Sequence, residues 1–243
     1  ENAQFTGTFD GNGYQIQGLT IDRGSTQDVG LFGESTGTIR EIYVTEALIT
    51  GEGDVGVVVG DNEGKVNGTT AAGDARSFFG DRVGGLVGWN TGTIAYSNAT
   101  VDVSAGDESQ GGLVGGNGGS VSHSYATGDV DGDDELGGLV GYTTESGSVS
   151  LSYATGTVTG EQNVGGLVGE NDGSVAQSYS LGETDVSGSS NNAGLVGWND
   201  GTITLSYAAG VVQDSGGGVG EANGGNVLDS DWDWQGTQQP TVW

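Results

Sequence analysis

Five carboxylates fall within the seven residues Asp129-Val130-Asp131-Gly132-Asp133-Asp134-Glu135. Oxygen donors at that density are calcium chemistry, because Ca2+ takes about six to eight oxygen ligands from carboxylates and carbonyls in a flexible shell. The spacing matches neither the EF-hand loop nor the nonapeptide calcium roll. Asp129, Asp131, Asp133, Asp134 and Glu135 therefore read as a weak calcium site, set beside the simpler reading of a solvated acidic loop. No cofactor other than calcium is suggested.

Three further groups could do chemistry. Trp89, Tyr142 and Trp198 each follow the last glycine of a GLVG run, and regularly placed rings can stack on sugars while their polar edges hydrogen-bond. Asn67-Gly68-Thr69 and Asn98-Ala99-Thr100 are N-glycosylation acceptors, with Asn67 and Asn98 as the modified residues. Asp102 and Asp129 occupy equivalent places in neighbouring repeats with Asp131 beside them, the arrangement a carboxylate-based polysaccharide cleavage would need, but Thr157 interrupts the column. The single histidine, His123, sits where other copies have Tyr96, Leu151, Gln177 and Leu205. No base or nucleophile relay is assembled, so no catalytic residue is assigned and the chain reads as a non-enzyme.

What positions these residues is a repeat. The closing glycines of the GLVG-like runs are Gly33, Gly60, Gly88, Gly115, Gly141, Gly169, Gly197 and Gly220, at intervals of 27, 28, 27, 26, 28, 28 and 23 residues. A fixed period from end to end marks a stacked array rather than a compact core. Each unit, as in Val164 to Tyr179, holds a GGLVG strand, an Asn-x-Gly turn, a Gly-Ser/Thr-Val/Ile-x-x-Ser-Tyr-Ala strand and a short alternating piece such as Thr157-Val158-Thr159. Helical repeats need runs of about ten helix formers at 3.6-residue spacing, and propeller blades need about 40 residues. The expected fold is all-β: a right-handed parallel β-helix, or β-solenoid, with about 27 residues and three short strands per coil in eight to nine coils.

Aligned copies predict inward columns from Leu31 to Leu195 and from Ile39 to Ile203. A third column, Ile42 and then Ser97, Ser124, Ser152, Ser178 and Ser206, is expected inward as hydroxyls bonded along the axis. Its neighbours, Tyr43, Asn98, Tyr125, Tyr153, Tyr179 and Tyr207, should then face outward. The copy at Gly64 to Gly80 departs from the pattern, with Lys65, Arg76, Phe78, Phe79, Asp81 and Arg82, and reads as a longer corner loop held by ion pairs.

Charge bounds the partners. With 33 acidic and 5 basic residues the formal charge is −28, a surface suited to brine, where self-repulsion is screened within about 3 Å at 1 M salt. Nucleic acid and anionic membranes are disfavoured, because five scattered cations cannot neutralise a phosphate array. No apolar run approaches the roughly 20 residues that span a bilayer and no signal segment opens the sequence, so a processed or excised piece without membrane insertion is expected. Cysteine is absent, which removes disulfides without choosing a compartment.

The units GGLVG-x-N-x-G-S-V-x-x-SYA-x-G-x-V, cleanest at Gly137 to Val158 and Gly165 to Tyr179, resemble the GLUG motif. That resemblance implies β-helical repeats of secreted or surface proteins such as adhesins, IgA-cleaving peptidases and haloarchaeal surface proteins; it transfers no catalytic residue. The chain is expected to be one continuous domain, with a capping coil at 1–28, repeats at 29–220 and a Trp-rich cap at 221–243. The expected function is an extracellular or cell-surface structural module of a halophile: a rigid stalk, an adhesin segment or a filament subunit that self-associates head to tail. The alternative is a carbohydrate-binding or polysaccharide-cleaving β-helix, with surface glycans as partners.

Overall fold

The computed structural model describes residues 4–77, 82–106, 108–186, 191–213, 217–221 and 225–232. Among them the chain is all-β without helix, and it winds through three parallel sheets, named here for their signature residues. The valine sheet has nine strands in chain order, from Thr8–Asp10 to Asn226–Leu228. The tyrosine sheet follows the same order from Gln15–Gln17 to Asp231–Trp232. In the glycine sheet most coils supply two short strands, such as Gln162–Gly165 and Val168–Asn171. About seven turns of about 28 residues result, with a partial rung at each end. We number the complete coils one (from Val29) to seven (from Asn191).

The predicted register holds. Ile39, Val66, Ile94, Val121, Val149, Val175, Ile203 and Val227 are successive partners across the valine sheet. All but Val227, which packs against the core from a half-buried position, are buried, as are Val58, Leu86, Leu113, Leu139, Leu167 and Leu195 of the glycine sheet. At about 25 cal/mol per Å2 this narrow apolar seam is what holds the coils closed. The tyrosines face outward and stack: Tyr125, Tyr153, Tyr179 and Tyr207 have centroids 4.9, 4.9 and 5.1 Å apart, with planes within 8°.

Three expectations are corrected. The buried serines do not bond hydroxyl to hydroxyl. Ser124 Oγ donates to Ser122 O at 2.8 Å and accepts the backbone N–H of Ser97, one coil earlier, at 3.2 Å. The cause lies one residue back, where Tyr96, His123, Leu151, Gln177 and Leu205 turn the corner with φ between 50° and 52°. That left-handed turn interrupts the ladder, and the serine hydroxyl accepts the amide it leaves over.

The second correction concerns the turn asparagines. Asn62, Asn90, Asn117, Asn171 and Asn199 point into the core at 0 % exposure and bond to one another between coils, as at Asn62 Nδ2 to Asn90 Oδ1, 2.7 Å. Third, most of the predicted corner loop in coil two is strand: Thr70–Ser77 pairs with both Tyr43–Gly51 and Asn98–Ala105. An ion pair is present there, Arg76 to Asp74 at 2.9 Å. Phe78, Phe79 and Asp81 lie outside the described residues, as do Trp234 and Trp243 of the proposed C-terminal cap.

Candidate functional site

The GGLVG strand is not straight. Arg82 lies over the Trp89 ring, 4.3 Å from its centroid, and Asn163 Nδ2 donates to Glu170 Oε2 at 3.0 Å. Residues seven apart in an extended strand would be about 23 Å apart. The chain therefore folds back on itself at the Gly-Leu pair, and the outer surface of the glycine sheet becomes a groove along the rod. Two glycines make this possible. A Cβ on Gly84 would overlap the carbonyl oxygen of Val87 on the opposite arm, and one on Gly88 would stand 2.5 Å from the backbone N of Val55. The GLVG signature is thus a steric requirement of the fold-back.

Carboxylates line this groove. Toward the N-terminal end, Asp54 is nearly buried and held by Arg82, with Nε to Oδ1 at 2.6 Å and Nη2 to Oδ2 at 3.0 Å. Asp61 is pushed up to about 6, first by burial and then by the charges of Asp54, Asp28 and Glu63, with Arg82 opposing. In coils five and six, burial and the charges of Glu135, Asp172 and Asp200 push Glu170 up to about 7, against the hydrogen bond from Asn163. Burial also raises Glu135, which accepts the Ser109 hydroxyl. Tyr142 donates to Asp172 Oδ2 at 2.8 Å, and burial followed by that bond holds the phenol protonated above its ordinary range. The groove is therefore a band of half-buried acids, some of which share protons with solvent near neutrality.

The aromatic candidates do share a column in this groove. Trp89, Tyr142 and Trp198 alternate with Gly116 and Glu170, so each ring is two rungs, about 9.6 Å, from the next. The Trp89 ring lies where a side chain on Gly116 would be, and Arg82 covers one of its faces. Sequence reasoning found this wall of the groove and did not assemble the other, which holds Asp54, Arg82, Ser109, Glu135 and Asn163; Glu135 and Arg82 were singled out for a calcium loop and a corner loop instead. The recurring seven-residue offset across GLVG was the available signal.

The remaining candidates lie elsewhere. Asp129 and Asp131 are exposed at the tyrosine sheet, whereas Asp134 and Glu135 belong to the next glycine-sheet strand. Among the described residues, no three His, Asp or Glu side chains converge to hold a metal ion. Asp102 and Asp129 cap the next coil: they accept the backbone N–H of Asp129 and of Thr157, at 3.1 and 2.8 Å. Asn67 is exposed, but its sequon partner Thr69 is fully buried; Asn98 is half-buried and donates to Thr70 Oγ1 at 3.1 Å. His123 stands on the exposed corner, stacked on Tyr96 at 4.7 Å.

Comparison with known proteins agrees with this architecture. The model of the GLUG motif matches residues 80–104, 108–131 and 135–159. Over 87 residues, 35 % of this chain, the sequence is 45 % identical to Halomucin of Haloquadratum walsbyi (strain DSM 16790 / HBSQ001), and the match spans 1 % of that protein's length. In structure the chain is similar to a putative immunoglobulin A1 protease from Bacteroides ovatus, with a TM-score of 0.57 over 93 % of this chain and 68 % of that one. At 16 % identity this likeness concerns the fold alone. The three matched segments are coils three, four and five of the stack, and in these coils the chain carries GLUG-motif repeats.

Proposed function

We propose that this chain is a structural segment of an extracellular or cell-surface protein of a halophile, a stiff rod that serves as stalk or spacer and performs no catalysis. The observation that carries the reading is the unbroken parallel stack. Every coil is tied to the next by backbone pairing in three sheets, and most also by the buried asparagine or serine bonds. The charge of −28 and the likeness to a protein of Haloquadratum walsbyi support the brine setting, since a high ionic strength removes most of the self-repulsion.

Immunogold labelling of intact cells of the producing organism, kept in brine, tests the placement. Label on the surface of unbroken cells is expected; label that appears only after lysis would overturn the reading. The second reading, a carbohydrate-binding or polysaccharide-cleaving β-helix, is supported by the recurrence of rings at Trp89, Tyr142 and Trp198 on alternate rungs. A glycan array probed with the wild type and with Trp89→Ala plus Trp198→Ala decides it. Glycan binding that the double variant loses would favour this reading, and an array without hits would remove it.

A further inference from the structure

Charge is distributed unevenly around the rod. In coils three to seven, the stretch running from the valine sheet into the tyrosine sheet (residues 93–100, 120–127, 148–155, 174–181 and 202–209) contains no Asp, Glu, Lys or Arg, although the chain holds 38 such residues. Burial accounts for the inward positions only. The outward ones, such as Thr93, Ser150, Ser174 and Thr204, face solvent. Nor does the fold forbid charge in these columns, because earlier coils place Asp10, Arg40, Glu41 and Lys65 in them.

The corner column adds a second observation. At φ near 50° glycine or asparagine is least strained, and a bulky side chain is disfavoured by the clash of its Cβ with the following carbonyl. Tyr96, Leu151 and Leu205 nonetheless occupy it, 62 %, 45 % and 58 % exposed. Beside them run the edges of the tyrosine stack, with Leu181 and Tyr207 also exposed. Large apolar groups are thus kept in water at positions that local backbone preference would give to polar ones.

We infer that this uncharged face is a lateral docking surface for a second copy of the chain, so that rods pack side by side. Through such a face two bodies of charge −28 meet without bringing carboxylates together. It is rimmed by charge, with Asp102, Asp129 and Glu183 along one side and Glu145, Asp172 and Asp200 along the other, which is the anatomy of a protein interface. Five rungs at about 4.8 Å and eight residues at about 3.3 Å give a footprint of at most roughly 600 Å2. That is somewhat below the about 800 Å2 per partner of a standard complex, so the pair is reversible and depends on brine for screening and for reinforced apolar contact.

Sedimentation equilibrium of the full chain in about 3 M KCl, across a concentration series, tests the face. The wild type is expected to dimerise, and Leu151→Glu with Leu205→Glu to weaken the dimer at least tenfold. Thr159→Glu, beyond the charged rim, is expected to leave it intact. Should the double variant lose its β-sheet circular dichroism, Ser150→Glu, outward on a valine-sheet strand, reads the same face. A wild type that stays monomeric overturns the inference. So does a dimer indifferent to charge on the face, which would indicate pairing through the end rungs, or one broken equally by Thr159→Glu.

Discussion

Asn171 donates its side-chain amide to Oδ1 of Asn199, one coil further on, at 2.7 Å with both side chains fully buried. The same bond joins Asn62 to Asn90 and Asn90 to Asn117, at 2.7 and 2.8 Å. In coil five the column holds Thr143, and Asn117 Nδ2 turns instead to Ser148 O at 3.3 Å. Asn90→Ala would strand the Asn62 amide on one side and take one of the two hydrogen bonds that Asn117 Oδ1 accepts on the other, where the Gly119 N–H remains at 3.2 Å, at a cost of about 1–3 kcal/mol, since a buried polar group loses its partner without regaining water. Asn90→Thr should cost clearly less, because the column already accommodates a threonine. Urea denaturation in brine checks both; equal costs would mean that the threonine side chain replaces nothing of what the amide bonds supply.

Glycines of the repeat should divide sharply between the fold-back, as at Gly165, and the turn after the asparagine, as at Gly118. A Cβ on Gly165 would overlap the carbonyl oxygen of Val168, a backbone atom that cannot move aside, whereas one on Gly118 meets nothing closer than 3.4 Å. Gly165→Ala is expected to lower stability by more than about 4 kcal/mol or to prevent folding, and Gly118→Ala to change it by less than about 0.5 kcal/mol. Comparing their thermal midpoints under one salt condition tests the steric account of the GLVG signature.

The half-buried acids give the rod an inverted response to acid. Glu170 titrates at about 7 and Asp61 at about 6 in the folded chain, against about 4 for free carboxyls. Between those values the folded chain keeps protons that the unfolded chain has released, so the stability these two acids contribute is fully present below about 4 and is lost as pH rises toward 7. The thermal midpoint should therefore drop between pH 5 and pH 8, and Glu170→Gln should flatten the profile and raise the midpoint at pH 8. A wild-type profile that is flat or rises over that range would contradict the assignment.

Arg82 joins the two arms of the groove through Asp54 and Trp89. Arg82→Ala leaves Asp54, 8 % exposed, without its guanidinium partner and is expected to cost about 2–3 kcal/mol. Arg82→Lys should recover less than half of that, since an ammonium cannot reproduce the two-point contact or stack as a plane. Adding Asp54→Asn to Arg82→Ala should restore part of the loss. A double-mutant cycle with no coupling would show that the pair contributes nothing.

The period, the parallel β-coil, the inward Leu31 and Ile39 columns and the outward tyrosines were legible in the sequence, whereas the three strands expected per coil are four or five, because the GGLVG segment bends into two. Each depends on residues within one short strand and on its alternation of faces, and the repeated copies confirm that alternation without any knowledge of the fold. The groove and the asparagine ladder were not legible, because alternation does not survive a corner. From Val87 inward, period two would send Trp89 in and Asn90 out. The chain instead slips by one residue at Gly88, leaving Trp89 in the groove and Asn90 at 0 % exposure. The left-handed residues before the serines reset the count again on the far side. The sequence determined which residues recur; only the tertiary structure decided where they point after each turn, because that direction is set by backbone angles and by the packing of one coil against the next.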